Sequence, residues 1–253
     1  MKFNSISIVI LLLFSNFGWS QSPSFDSFKT KNGTLTIQPI LHSSFILTYN
    51  NKTIYVDPYG GEKLYQGIKS PDIVLITDIH SDHLNQETLD AIDTSKAIFI
   101  VPDAVATKLP EKYSSQVVIL KNGQGIHRLD IFIKAIAMYN LPEETDSKHP
   151  KGRGNGYILT IDNKRIYISG DTEDIAEMRM LQNIDIAFVC MNLPFTMTIN
   201  QAANAVLEFK PKIVYPFHYR GKDGFSDIDK FKNIVNSKNN TIDVRLKKWY
   251  PNN

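Results

Sequence analysis

The run Asp78-Ile79-His80-Ser81-Asp82-His83, directly after the apolar stretch 73–77, restricts this chain more than any other feature. Asp78, His80, Asp82 and His83 are all able to hold a metal ion, and they crowd the end of a predicted buried strand. Imidazole nitrogen and carboxylate oxygen suit zinc and, with more oxygen, manganese or iron. On extended backbone alternate side chains share a face, so Asp78, His80 and Asp82 are expected to converge on one pocket. His83 is out of phase; the helical pattern of residues 86–92 implies a turn that would let it reach a second ion. A lone Asp or His in such a place is ordinarily a solvated loop side chain, but four together argue for chemistry.

Further donors lie where such a site would need them. Of the six histidines, His149 falls in the irregular segment 143–156, rich in charge, Gly and Pro, and His218 closes the predicted strand 213–217. Irregular loops held by a scaffold often carry function. The strand pattern ending in Gly170-Asp171-Thr172 exposes Asp171 at the same edge. A carboxylate there can bridge two cations about 3.5–4 Å apart. Asp57, at the end of Ile54-Tyr55-Val56, either orients a ligand imidazole or caps the turn at Pro58. His42 either lines the pocket or packs, and His127 is read as structural.

The pattern along the chain predicts sheets covered by helices. Alternation over residues 34–40, 44–48 and 52–56, with Tyr49-Asn50-Asn51 as a turn, predicts an opening β meander. Strands are expected at 73–77, 97–101, 117–120, 131–137, 157–161 and 165–169, with short helices at 86–92 and 103–109. From there helices (174–181, 199–209, 228–235) alternate with strands (184–189, 213–217, 241–246). β-rich stretches with interspersed helices favour packed sheets under helices over a purely parallel doubly wound sheet, and two similar halves are suspected.

Length and charge narrow the function. The 253 residues, 42% hydrophobic, suit one large domain, expected over residues 21–253. With 28 basic and 26 acidic side chains, a nucleic-acid partner is disfavoured. Met1-Lys2, the apolar run 6–14 and the small residues Gly18 and Ser20 read as a signal peptide over 1–20, cleaved before Gln21. An uncleaved anchor competes, but the apolar run is shorter than the roughly 20 residues a bilayer span requires. Export to the periplasm or outside the cell, with no stable membrane anchor after cleavage, is therefore expected. Cys190 has no partner in the chain and is read as a small buried side chain rather than a reactive thiol.

Taken in order, these motifs resemble the metallo-β-lactamase-fold hydrolases, in particular the branch of L-ascorbate-6-phosphate lactonase-like proteins. That pattern is His-x-His-x-Asp-His after a strand, then a histidine, then Gly-Asp-Thr closing a strand, then a histidine closing a later one. Asp78 to His83, His149, Gly170-Asp171-Thr172 and His218 follow it, and the likeness extends to Leu41-His42-Ser43-Ser44 and Ile54-Tyr55-Val56-Asp57-Pro58. The resemblance implies an α/β (α+β) four-layer αββα sandwich and two divalent ions, zinc first, with manganese or iron as alternatives. Asp78, His80 and His149 would hold one ion and Asp82, His83 and His218 the other, with Asp171 between them and Asp82 also catalytic. Asp78 departs from the pattern, which has histidine there, and Asn140 competes with His149 for the third motif.

The function so implied is hydrolysis of a small ester, lactone or phosphoester by a metal-bridged hydroxide. A metal-binding or ligand-sensing protein with a degenerate, inactive site is the alternative. An exported β-lactamase fits less well, because Asp171 stands where one major subclass has cysteine. The segment Lys151-Gly152-Arg153-Gly154-Asn155-Gly156 is expected to contact an anionic group of the substrate or else to be a solvated loop.

Overall fold

The computed structural model describes residues 25–250, so the expected signal peptide lies outside the described residues. The period-two alternation near the N-terminus folds into a meander. Its strands are β1 (Asp26–Lys29), β2 (Thr34–Leu41), β3 (Ser44–Tyr49) and β4 (Lys52–Val56). The chain then adds β5 (Ile73–Leu75), α1 (Gln86–Ala91), β6 (Ile98–Val101), α2 (Asp103–Ala106) and β7 (Val117–Ile119). These seven strands form one sheet in chain order, antiparallel from β1 to β4 and parallel from β4 to β7.

The second sheet repeats that plan. Antiparallel β8 (Gly125–Arg128), β9 (Ile131–Met138), β10 (Gly154–Ile161) and β11 (Lys164–Ile168) lead into α3 (Ala176–Arg179), β12 (Ile186–Cys190), α4 (Ile199–Phe209) and β13 (Ile213–Phe217). After the small hairpin β14 (Arg220–Gly221) and β15 (Gly224–Phe225) come α5 (Ile228–Lys238) and β16 (Asp243–Val244). The strand order is β16-β13-β12-β11-β10-β9-β8, with β11, β12, β13 and β16 parallel.

The sheets pack face to face. Phe45 of β3 stacks on Phe188 of β12 with centroids 4.1 Å apart, and both are fully buried. Each such ring contributes roughly 1.5–3 kcal/mol by leaving water. The outer face of the first sheet is covered through Leu89 of α1 and Val105 of α2. That of the second is covered by α4 and α5, whose Ala202, Val206, Phe209, Phe231 and Val235 are buried at helical spacing. The layers therefore run helices, sheet, sheet, helices. A reciprocal capping box between Thr198 and Gln201 starts α4, and Lys210 ends it in left-handed backbone at φ 47°. None of the described helices is long and apolar enough to cross a membrane.

Two elements are shorter than the sequence pattern predicts. The expected helix over 174–181 is only Ala176–Arg179: Ile175 before it is extended, and Asp174 pairs with the Arg179 guanidinium. The expected strand over 241–246 shrinks to Asp243–Val244, and the final buried anchor is instead Trp249.

Candidate metal centre

One end of the sandwich collects the ends of both parallel strand sets, the place where α/β sheets present functional side chains. Asp57 follows β4, Asp78 follows β5 by way of Ile76 and Thr77, Asp171 follows β11, and His218 follows β13. His42 sits in the β2–β3 turn. Its backbone N–H donates to Trp249 O at 3.2 Å, and its carbonyl accepts from the His218 N–H at 3.2 Å, tying the two sheets together. His42, Asp57 and His218 all have left-handed backbone, at φ 60°, 43° and 46°. For non-glycine residues such backbone costs on the order of 1–3 kcal/mol and persists where packing enforces it. Gly170 also has positive φ, and a Cβ there would lie 2.6 Å from Met138 Sδ and 3.2 Å from Asn155 O, which favours glycine before Asp171.

Beyond Asp78 the chain does not stay extended. The His83 and Leu84 N–H groups both donate to His80 O, at 3.0 and 2.8 Å, so the segment closes into a turn. His80 and Asp82 line one cleft, as expected, although the backbone between them is turned rather than extended. Asp78 and His80 approach His149, whereas Asp82 approaches His42, His218 and His83.

Three overlapping groups of donors result among the described residues, Asp78 with His80 and His149, His83 with Asp171 and His218, and His42 with Asp82 and His218, with ligand atoms in each within 4.8 Å of one another. In the first, Asp78 Oδ2 lies 2.6 Å from His80 Nδ1 and 3.9 Å from His149 Nε2. In the second, His83 Nε2 and His218 Nε2 are 3.1 Å apart and approach Asp171 Oδ2 and Oδ1 at 3.3 and 3.1 Å. Asp171 joins the groups, since its Oδ2 is also 3.3 Å from His149 Nε2. Asp82 stands beside the second group, with Oδ2 3.6 Å from His218 Nε2 and Oδ1 3.9 Å from His83 Nε2. All seven residues singled out from the sequence as ligands thus meet at one end of the fold. His42, which sequence reasoning left unassigned, joins them with Nε2 3.2 Å from Asp82 Oδ2.

The rings are held from behind by groups that settle which nitrogen points inward. Asp57 Oδ2 accepts from His83 Nδ1 at 2.8 Å and from Thr77 Oγ1 at 2.7 Å, while its Oδ1 accepts from the Thr77 N–H at 2.8 Å. Asn140 Oδ1 accepts from the His149 backbone N–H at 2.8 Å and faces His149 Nδ1 at 3.1 Å. Asn140 therefore supports His149 instead of replacing it. His42 Nδ1 is 2.6 Å from Tyr250 Oη. With Nδ1 engaged in His83 and His149, each turns its Nε2 toward Asp171.

Charge is strongly coupled here. Burial opposes ionisation of Asp171, but His218 and His83 outweigh it and hold the carboxyl well below the usual range. Burial likewise opposes charge on His83, but Asp171, Asp57 and Asp82 hold its imidazole well above the usual range. Burial and the neighbouring His218 push His42 down to about 4, so at neutral pH its Nε2–H donates to Asp82 and its Nδ1 accepts from Tyr250.

The donors fit a divalent cation. His149 Nε2 and Asp171 Oδ1 are buried without a hydrogen bond of acceptable geometry, although both face the cluster. Such orphaned groups are costly unless a cation or ligand satisfies them. Mixed imidazole and carboxylate donors match zinc, manganese and iron.

The cluster opens into a cleft of about 220 Å³ lined by His80, Asp82, His149 and Asp171 together with Lys148, Asn192 and Phe195. The cation at its rim is Lys148. Arg153, expected to meet the substrate, instead donates to Asp78 and to the Lys148 carbonyl. His127 is exposed on β8 against Phe132, away from the cluster, and Cys190 is fully buried in β12.

Comparison with known proteins agrees with this geometry. The sequence profile of the β-lactamase superfamily domain matches residues 36–218. UPF0173 metal-dependent hydrolases of Pyrococcus horikoshii and Pyrococcus abyssi are similar to this chain. The first is 30% identical over 208 residues and the second 28% over 207, each match covering 78% of this chain and 90% of the relative. A crystal structure from Parabacteroides distasonis ATCC 8503, assigned to the metal-dependent hydrolases, is 41% identical with a TM-score of 0.80, covering 90% of this chain and 100% of that one. A metallo hydrolase from Ignicoccus hospitalis, 24% identical with a TM-score of 0.70, covers 84% of this chain and 94% of its own, and shares the fold. A two-sheet mixed α/β fold, a cluster of metal-compatible residues at its edge and these relatives together make the chain a metal-dependent hydrolase of the metallo-β-lactamase superfamily, in the UPF0173 family.

Proposed function

We propose that the protein hydrolyses a small ester, lactone or phosphoester at a two-ion centre, with zinc as the first choice of metal. Asp78, His80 and His149 would hold one ion, and Asp82, His83 and His218 the other. The observation that carries this reading is Asp171, whose carboxylate oxygens face His149 and His83 on one side and His218 on the other. Bound divalent ions there would lower the pKa of water toward neutrality and polarise the substrate's carbonyl or phosphoryl oxygen.

The chain's own residues supply the rest. His42 donates to Asp82 Oδ2, which leaves Asp82 Oδ1 to accept a hydrogen bond from the attacking water and orient it. Asp57 and Asn140 keep the His83 and His149 rings from turning. Lys148 at the rim favours a substrate carrying a negative group. The cleft's volume supports a small molecule. Balanced surface charge speaks against a polyanion.

Metal-reconstituted protein assayed against ester, lactone and phosphodiester panels, with anionic and neutral members of each, tests the proposal. Turnover in at least one class should be abolished by chelator and by His80→Ala, and Lys148→Met should remove any preference for anionic members. Metal-loaded protein with no chelator-sensitive turnover in any class would favour the ligand-sensing alternative. Export is a separate proposal from the N-terminal sequence; a mature protein whose first residue is Gln21 supports it, and retention of Met1 in the cell-associated protein opposes it.

A further inference from the structure

We propose that Arg153 makes the two ion positions unequal, so that the one formed by Asp78, His80 and His149 fills after, and more weakly than, the one formed by Asp82, His83 and His218, with Asp171 between them. The inference rests on the two-ion reading above and goes beyond it in ranking the positions.

Asp78 is fully buried, and it already has a cation. The Arg153 guanidinium grips it in a fork, Nε donating to Oδ1 at 3.2 Å and Nη2 to Oδ2 at 3.0 Å. The fork is itself anchored, because Nη2 also donates to Lys148 O at 2.7 Å. Two-point carboxylate–guanidinium pairing is among the stronger charge-assisted contacts and takes a lone pair from each oxygen. Oδ2 carries His80 Nδ1 at 2.6 Å as well. An ion entering here must share Asp78 with a fixed positive charge, or displace hydrogen bonds that already satisfy it.

The other position has no such competitor. Among the described residues, Asp57, Asp82 and Asp171 meet histidines and no lysine or arginine within ion-pair distance. A dication there meets the Asp171 carboxylate and two imidazole nitrogens only 3.1 Å apart, both turned into the cluster. Where the family pattern has a neutral imidazole, this chain thus has a carboxylate together with its countercharge. The pair leaves the local charge near that of the imidazole but weakens the donor.

Metal-stripped mature protein titrated with Zn²⁺ against a chromophoric chelator, with total metal counted by mass spectrometry, reads this directly. The unmutated chain should show two steps at least about tenfold apart in Kd. Arg153→Met should tighten the weaker step about tenfold or more and leave the tighter one in place, while Arg153→Lys, which keeps the charge without the fork, should fall between. Melting curves check that the variants fold, and Arg153→Lys reads the same step if Arg153→Met does not. Two equal steps in the unmutated chain, or a weaker step that neither variant moves, would overturn this inference and leave the two-ion reading standing. One ion bound by the unmutated chain and by both variants would overturn the two together.

Discussion

Asp57 Oδ2 lies 2.8 Å from His83 Nδ1, and this contact turns the ring's other nitrogen, Nε2, toward Asp171. Both side chains are almost completely buried, so the pairing sets the tautomer of His83 as well as its orientation. Asp57→Asn keeps the shape and removes the carboxylate. Metal affinity at the His83 position should fall about 10–100-fold, with little change at the other, when measured by chelator competition. An unchanged Kd would mean that Asp57 serves only the turn at Pro58.

The coupled charges also predict how the metal-free protein responds to pH. His83 is held well above its ordinary value of 6.5, so its contribution is complete below 6.5 and is lost as pH rises through the raised value. Asp171 is held well below its ordinary value of 3.8, so its contribution is present above 3.8 and is lost as pH falls through the lowered value. The metal-free protein should therefore melt highest at mildly acidic pH. Metal needs neutral imidazole, so the difference in Tm between loaded and metal-free protein should widen between about pH 6 and pH 8. A difference that narrows over that range would show that His83 is not a ligand.

Asn140 supports His149 through the Nδ1 contact at 3.1 Å and the backbone N–H bond at 2.8 Å. Asn140→Leu deletes the one oxygen, Oδ1, that serves both contacts. It should release one ion per chain at limiting metal, weakening that step about 10–100-fold, while the ion beside His83 stays bound. Equal loss of both ions, measured as metal content after dialysis, would point to general unfolding of the loop.

Cys190 is fully enclosed in β12, and burial pushes its thiol up to about 11. At pH 8 roughly one thiol in a thousand would be ionised, and none would be reachable. Native protein should take no iodoacetamide adduct and denatured protein one per chain, as read by intact mass. Alkylation of the folded protein would contradict the packing of the second sheet.

Much of this was legible because the informative contacts are short in sequence or repeat regularly. Strands with strict alternation, such as Thr34–Leu41 and Ile131–Met138, announce themselves, and α4 follows its apolar spacing. The edge strands β1 (Asp26–Lys29) and β8 (Gly125–Arg128) do not, because half of each faces water and the residues are mostly polar or glycine. The turn before α1 is implied by the helical pattern that follows it, but its place is not: the hydrogen bonds to His80 O put it at His80, earlier than the extended continuation of β5 suggests. His42 had one usable signal, a histidine beside serines in a tight hairpin turn. The partnership of Asp78 with Arg153 had none, since the residues are 75 positions apart and either side chain alone has many uses.

The most direct test of the metal centre is anomalous scattering from crystals of the zinc-loaded protein, recorded on both sides of the zinc edge. The account predicts two zinc peaks on opposite sides of the Asp171 carboxylate, one contacted by His80 and His149 and the other by His83 and His218. A single peak, or peaks that leave Asp171 uncoordinated, would contradict it.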